Sequence, residues 1–244
     1  MLTAGVDLAA EPKGTALAIV DWKATIATLT ELHLGVGDEQ IVEVAQEVDK
    51  LGIDCALGWP IEFVEFLNNH SNLNNIHLPD GGMDWRRQVS FRESDRHVRA
   101  VTGKWPLSVS TDRLGLTAMR CAGLQGRLQQ SSIDIDRAGY GKVVEIYPGA
   151  SLRLWGFDTS GYRAQLEVRE ELLSSIENTI PWLNLGSYRD QMIESTDAFD
   201  AVIASLATRA AAIGKTTEPP KEQLETARIE GWIALPTCPI SELL

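Results

Sequence analysis

This chain of 244 residues is poor in cysteine, poor in basic residues and without a long apolar run, and each shortage removes a class of protein. Its three cysteines, Cys55, Cys121 and Cys238, are an odd number with no paired spacing. That excludes a disulfide-stapled secreted scaffold and points to a reduced, intracellular protein. No stretch approaches the roughly 18 apolar residues that a spanning helix needs. The first residues, Met-Leu-Thr-Ala-Gly-Val-Asp, have neither a basic region nor an apolar run of signal-peptide length. The expectation is a soluble, cytoplasmic protein without a membrane partner. Lysine and arginine number 22 against 34 acidic residues, a net charge of −12, which argues against a broad, sequence-independent grip on nucleic acid. No histidine pair, Gly-x-Ser-x-Gly elbow or catalytic cysteine pattern is present. The four histidines (His33, His70, His77 and His97) are scattered, and only His97, near an arginine-rich stretch, is a candidate for proton transfer.

A large hydrophobic fraction, 44%, arranged with clear periodicity, is what the chain does have. Residues 2–7, 15–21 and 26–32 read as strands joined by spacers too short for a parallel crossover, so they form antiparallel hairpins. A helix follows over 38–50, then a short buried strand over 53–57. Residues 60–115 carry proline, asparagine and glycine clusters and an arginine-rich stretch. They read as an excursion from the sheet, the inserted helical and loop segment of about 60–130 within a single domain of residues 1–244. Helices are predicted over 114–128, 162–176 and 197–213, and strands over 143–147 and 229–234. The order gives an α/β fold with a mixed five-stranded sheet, three antiparallel strands followed by parallel ones, and helices on both faces.

Carboxylates stand in otherwise apolar segments of this framework: Asp7, Asp54, Glu145, Asp197 and Asp200. Burying them is costly unless they are paired, protonated or bound to metal. Asp7 on a central strand and Asp54 on its neighbour are expected to project from the same end of the sheet, and Asp197 and Asp200 share one helix face. Such all-oxygen sets suit Mg²⁺ or Mn²⁺, and two ions about 4 Å apart can clamp both oxygens of a phosphodiester displacement. Three of the acids also have a plain alternative: Asp197 as a helix cap, Asp54 bonded to a strand-end backbone group, Glu145 bonded to an arginine of the excursion.

The segments Gly5-Val-Asp7, Ile53-Asp54 and Asp197-Ala-Phe-Asp200-Ala resemble the first-strand, fourth-strand and last-helix acids of the Holliday-junction resolvase branch of the ribonuclease H-like superfamily. Together, Gly5-Val-Asp-Leu-Ala, Ile53-Asp-Cys-Ala-Leu-Gly-Trp-Pro, Arg92-Glu-Ser-Asp-Arg, Glu145-Ile-Tyr-Pro-Gly and Asp197-Ala-Phe-Asp-Ala look like an uncharacterised family of predicted ribonuclease H-like nucleases, over nearly the whole chain. The resemblance implies a metal-dependent nuclease. It departs at one point: the resolvase fourth-strand acid is normally glutamate, and here it is the shorter Asp54, so Glu145 is the candidate to supply the missing reach.

From Asp84 to Lys104 positive charge exceeds negative by three, against the trend of the chain. Arg92, Arg96 and Arg99, spaced by four and three, are expected on one helix face, as a phosphate clamp or as a solvated face with local salt bridges. Trp85, Phe91 and Trp105 flank them and either stack on bases or pack the excursion onto the sheet. The sequence thus predicts hydrolysis of phosphodiester bonds in nucleic acid or nucleotides by a metal-activated water. Asp7, Asp54, Asp197 and Asp200 would be metal ligands and Glu145 auxiliary. The alternative is a nucleotide or phosphometabolite binding protein without hydrolysis, and a homodimer is compatible with either.

Overall fold

The computed structural model describes residues 1–73 and 81–244; His77 and the Asn74–Asn75 pair of the excursion lie outside them. Strands β1 (Leu2–Asp7), β2 (Ala16–Trp22) and β3 (Ala27–Leu34) form the antiparallel start of the sheet. Helix α1 (Asp38–Glu47) leads to β4 (Lys50–Asp54), which runs parallel to β1. The excursion contributes α2 (Ile61–Ser71), α3 (Gly82–Ser90), α4 (Glu93–Thr102) and α5 (Gly115–Gln130). The chain returns through β5 (Val143–Glu145), α6 (Pro148–Leu154), α7 (Leu166–Thr179), β6 (Leu183–Asn184), α8 (Arg189–Glu194), α9 (Thr196–Ala212) and α10 (Leu224–Glu230).

The sheet order is β5-β4-β1-β2-β3-β6, a mixed α/β arrangement consistent with a ribonuclease H-like fold. It has six strands where five were expected. The addition, β6, is two residues long and pairs parallel with β3 through Ala27 and Leu183. The strand expected over 229–234 is instead the end of α10 followed by an isolated bridge between Ile233 and Glu145. The alternation of Ile229, Gly231 and Ile233 mimics a strand, but the buried Glu230 is used to dock helices. The helix expected from residue 162 starts at Leu166 and runs to Thr179.

Side-chain parity divides the sheet into two faces. Ala4, Val6, Leu17, Ile19, Leu51 and Ile53 point toward α1 and α5, where Ile41, Val44, Leu124 and Leu128 complete one core. Ala16, Ala18 and Val20 point to the other core, with Leu173, Phe199, Val202 and Leu206. On that second face β1 and β4 present little but backbone. A Cβ at Gly5 would run into the backbone of Ala201 and Ser205, and one at Gly52 into the Thr208 hydroxyl. Helix α9 therefore lies directly on the two strands. It is held by Ser205, whose hydroxyl donates to the Thr3 carbonyl at 3.0 Å, and by the Thr3 hydroxyl, which donates to the Ser205 carbonyl at 3.1 Å. Among the described residues no helix is long and apolar enough to cross a membrane.

Candidate functional site

Parity also places the acids. Asp7 follows Thr3 and Gly5 at the period of two, and Asp54 follows Gly52, so both carboxylates belong to the α9 face. They are direct partners across the parallel β1–β4 pair. On α9, Asp197, Asp200, Ala204 and Thr208 recur at three- and four-residue spacing, so the acids sit one and two turns ahead of the residues that touch Gly5 and Gly52. Asp7, Asp54, Asp197 and Asp200 consequently line one cavity of about 310 Å³ at the carboxyl ends of β1 and β4, joined there by Glu145, Arg92 and Arg163.

Burial and mutual repulsion both disfavour the charged forms of these acids. Asp7 and Asp54 keep a face open to the cavity but have lost most of their hydration. Burial pushes Asp7 well above the usual carboxylate range, reinforced by Asp54, Asp200 and Asp197 and opposed by Arg163. Burial, then Asp200 and Glu145, push Asp54 up to about 8 against Arg163. Asp200 and Asp197 are raised by burial and eased by Arg163. Neither Asp7 nor Asp54 has a side-chain hydrogen bond or ion pair among the described residues. Asp54 thus does not serve a strand-end backbone group.

Asp200 is held from the segment ahead of α7. The Tyr162 hydroxyl donates to its Oδ1 at 2.8 Å, Arg163 Nη2 lies 2.9 Å from its Oδ2, and Arg163 Nε donates to the Tyr162 hydroxyl at 3.0 Å. Both partners were missed in the sequence, because Gly161-Tyr-Arg reads as the start of a helix. The Tyr-Arg dipeptide carries no local sign that it faces an acid 38 residues further along. Helix α9 is capped by Ser195, whose hydroxyl accepts from Ala198 N at 3.1 Å. Asp197 is therefore spared that task and stands half-exposed in the first turn.

Glu145 takes the opposite direction. It pairs in register with Ile53 and shares its face, away from α9. Arg92 grips it with two bonds, Nη2 to Oε1 at 2.7 Å and Nη1 to Oε2 at 2.8 Å, while Leu57 N donates to Oε2 at 3.0 Å. This is the bond to an arginine of the excursion weighed from the sequence. Arg92 also binds Asp95, Nη2 to Oδ1 at 2.9 Å, and Asp95 accepts from Arg92 N. The arginine face predicted from spacing does not form. Arg92 is the residue preceding α4 and is buried, Arg96 pairs with Glu93, and Arg99 is exposed with no place in the cavity lining. His97 packs on Trp232 with ring centroids 5.1 Å apart and lies outside the cavity lining. Phe91 and Trp105 stack on each other at 4.2 Å, and Trp85 meets Phe66 edge-on at 5.9 Å.

As placed, no three His, Cys, Asp or Glu side chains among the described residues form a ready ligand group for a metal ion. The donor chemistry nonetheless fits a hard divalent cation: four carboxylates offer only oxygen, and Arg163, paired with Asp200, is a single charge set against them. What the fold and cavity define is an α/β protein with clustered acids at the carboxyl ends of adjacent parallel strands. The chain matches, over residues 5–225, the family described as Protein of unknown function (DUF429), and it belongs to that family. No curated protein and no solved structure matches it.

Proposed function

We propose that this protein is a metal-dependent phosphodiesterase of the ribonuclease H-like kind, acting on nucleic acid or a nucleotide. The observation that carries this reading is the meeting of Asp7, Asp54 and Asp200 at one cavity, each held above its ordinary pKa chiefly by burial. Asp7, Asp54, Asp197 and Asp200 would hold one or two Mg²⁺ or Mn²⁺ ions. When bound, the metal would supply Lewis acidity and an activated water. The residues themselves do the positioning. Tyr162 and Arg163 fix the rotamer of Asp200, α9 sets its height above β1, and Arg92 keeps Glu145 aimed away, as a fastener rather than a ligand.

One observation favours the second reading, a nucleotide or phosphometabolite binding protein without hydrolysis. Both Asp200 oxygens are already engaged by protein groups.

A thermal shift series with Mn²⁺ and Mg²⁺ tests the metal site. At a hundredfold excess over Kd, binding adds about 2.7 kcal/mol, or roughly 5–10 °C in Tm for a chain of this size. The expected result is such a shift in wild type and its loss in Asp7→Asn. No shift in wild type, or an equal one in the variant, overturns the metal site. Hydrolysis of single-stranded, duplex and branched substrates, with Asp200→Asn as control, then separates enzyme from binder.

A further inference from the structure

We propose that the cavity takes a single nucleoside monophosphate unit, free or at a strand end, with Arg163 as its phosphate anchor and the Pro106–Leu107 segment as the wall for its base. This deepens the reading above and rests on it for the metal, but not for the anchor or the wall.

Arg163 is the cation that fits. Its side chain is 53% exposed although it lines the cavity, and it uses Nη2 on Asp200 and Nε on Tyr162. Nη1 has no partner among the described residues. A guanidinium anchored on two sides with one nitrogen left over is oriented in advance for a phosphate oxygen. A second guanidinium stands close by. Arg153 lies 5.6 Å over the ring of Tyr147, a cavity residue, and its Nε and Nη2 are without a partner. Arg153 Nη1 and the Tyr162 hydroxyl both come within 4 Å of the point where a Gly149 Cβ would stand, at 3.7 and 3.8 Å. Positive charge thus collects on the Tyr147–Tyr162 side, beside the acids.

The base wall is apolar and rigid. Pro106, Leu107 and Leu114 line the cavity, and Leu107 remains 47% exposed, so part of its apolar surface is open to a ligand. The segment is braced at both ends. Trp105 stacks on Phe91, while the Ser108 hydroxyl donates to the Ser90 carbonyl at 2.7 Å and accepts from Ser110 N and Thr111 N. At about 310 Å³ the cavity is at the small end of ligand sites, and a net charge of −12 gives a duplex little to hold.

Calorimetric titration of the full chain, with and without Mn²⁺, tests this with thymidine 5′-monophosphate, ribose 5-phosphate, thymidine, a 5′-phosphorylated oligothymidylate and a DNA duplex. The expected order has the monophosphate at least tenfold tighter than ribose 5-phosphate or thymidine. The oligothymidylate should match or exceed it if strand ends are the source, and fall below it if free nucleotides are. Arg163→Lys, which keeps the charge but loses the fork, should weaken the monophosphate about tenfold and leave thymidine unchanged. Leu107→Asp should erase the advantage of the monophosphate over ribose 5-phosphate. Equal affinities for those two ligands in wild type, tighter binding of duplex than of monophosphate, or indifference to Arg163→Lys overturns the proposal. The wild-type comparison needs no variant to fold, and the Mn²⁺ thermal shift reports separately on the metal site.

Discussion

At the residue scale the cavity is a store of unfavourable charge. Asp54, held near 8 chiefly by burial and then by Asp200, keeps its proton in the folded chain when the unfolded chain has released it. The folded state then binds more protons than the unfolded one between the ordinary aspartate pKa of about 4 and the folded value near 8, so stability falls as pH rises across that window. Metal-free protein should lose several degrees of Tm between pH 5 and pH 8. Asp54→Asn should flatten the slope and raise Tm at pH 8, as read by calorimetry across a pH series. A wild-type Tm that climbs over that range would contradict the account. Asp7, Asp54 and Asp200 were legible in the sequence because strand parity and helix spacing are local rules. Arg163 was not, because its partner is brought to it only by the packing of α9 on the sheet. Arg92 was visible, but its burial was not: Glu145 and the Glu230 carbonyl, which enclose it with Asp95, are brought to it only by the fold.

At the scale of elements, α9 is set by two glycines. Gly5 and Gly52 let its backbone approach β1 and β4, and that approach decides where Asp197 and Asp200 stand relative to Asp7 and Asp54. Gly5→Ala forces a Cβ onto the Ser205 and Ala201 backbone. The expected cost is about 1–3 kcal/mol or more in urea denaturation, with a smaller Mn²⁺ shift in whatever protein still folds. An unchanged denaturation midpoint would mean that the helix has room to move. The long periodic elements were readable from sequence for the same reason that they are stable: each buries a regular apolar face. The two-residue β6 has no periodicity to read and exists because β3 offers it an edge.

At the scale of the whole molecule, the excursion and the C-terminal segment are tied through buried charge. Arg92, 3% exposed, joins Asp95 and Glu145, and its Nη1 donates to the Glu230 carbonyl at 3.1 Å. The Glu230 carboxylate accepts from Ile61 N at 2.8 Å and from Glu93 N at 3.0 Å, so one side chain serves the first residues of both α2 and α4. Arg92→Met would leave two buried carboxylates without their cation, a loss of about 3–5 kcal/mol. Arg99→Ala, on the exposed side of α4, should stay within about 0.5 kcal/mol. Equal denaturation midpoints for the two variants would refute this division of labour. None of this network is visible in the sequence as a unit, since its members are spread from residue 57 to residue 230.

The placement of α9 on β1 also imposes a timetable. Synthesis proceeds at about 5–20 residues per second, so Asp7 is made roughly 10–40 s before Asp200. Through that interval the apolar face formed by Ala16, Ala18 and Val20 lacks Phe199, Val202 and Leu206, and the two strand acids have no Arg163–Asp200 pair beside them. A ribosome-bound chain stopped short of α9 should be a substrate for chaperones and blind to nucleotide. The cavity has its full lining only when that helix seats.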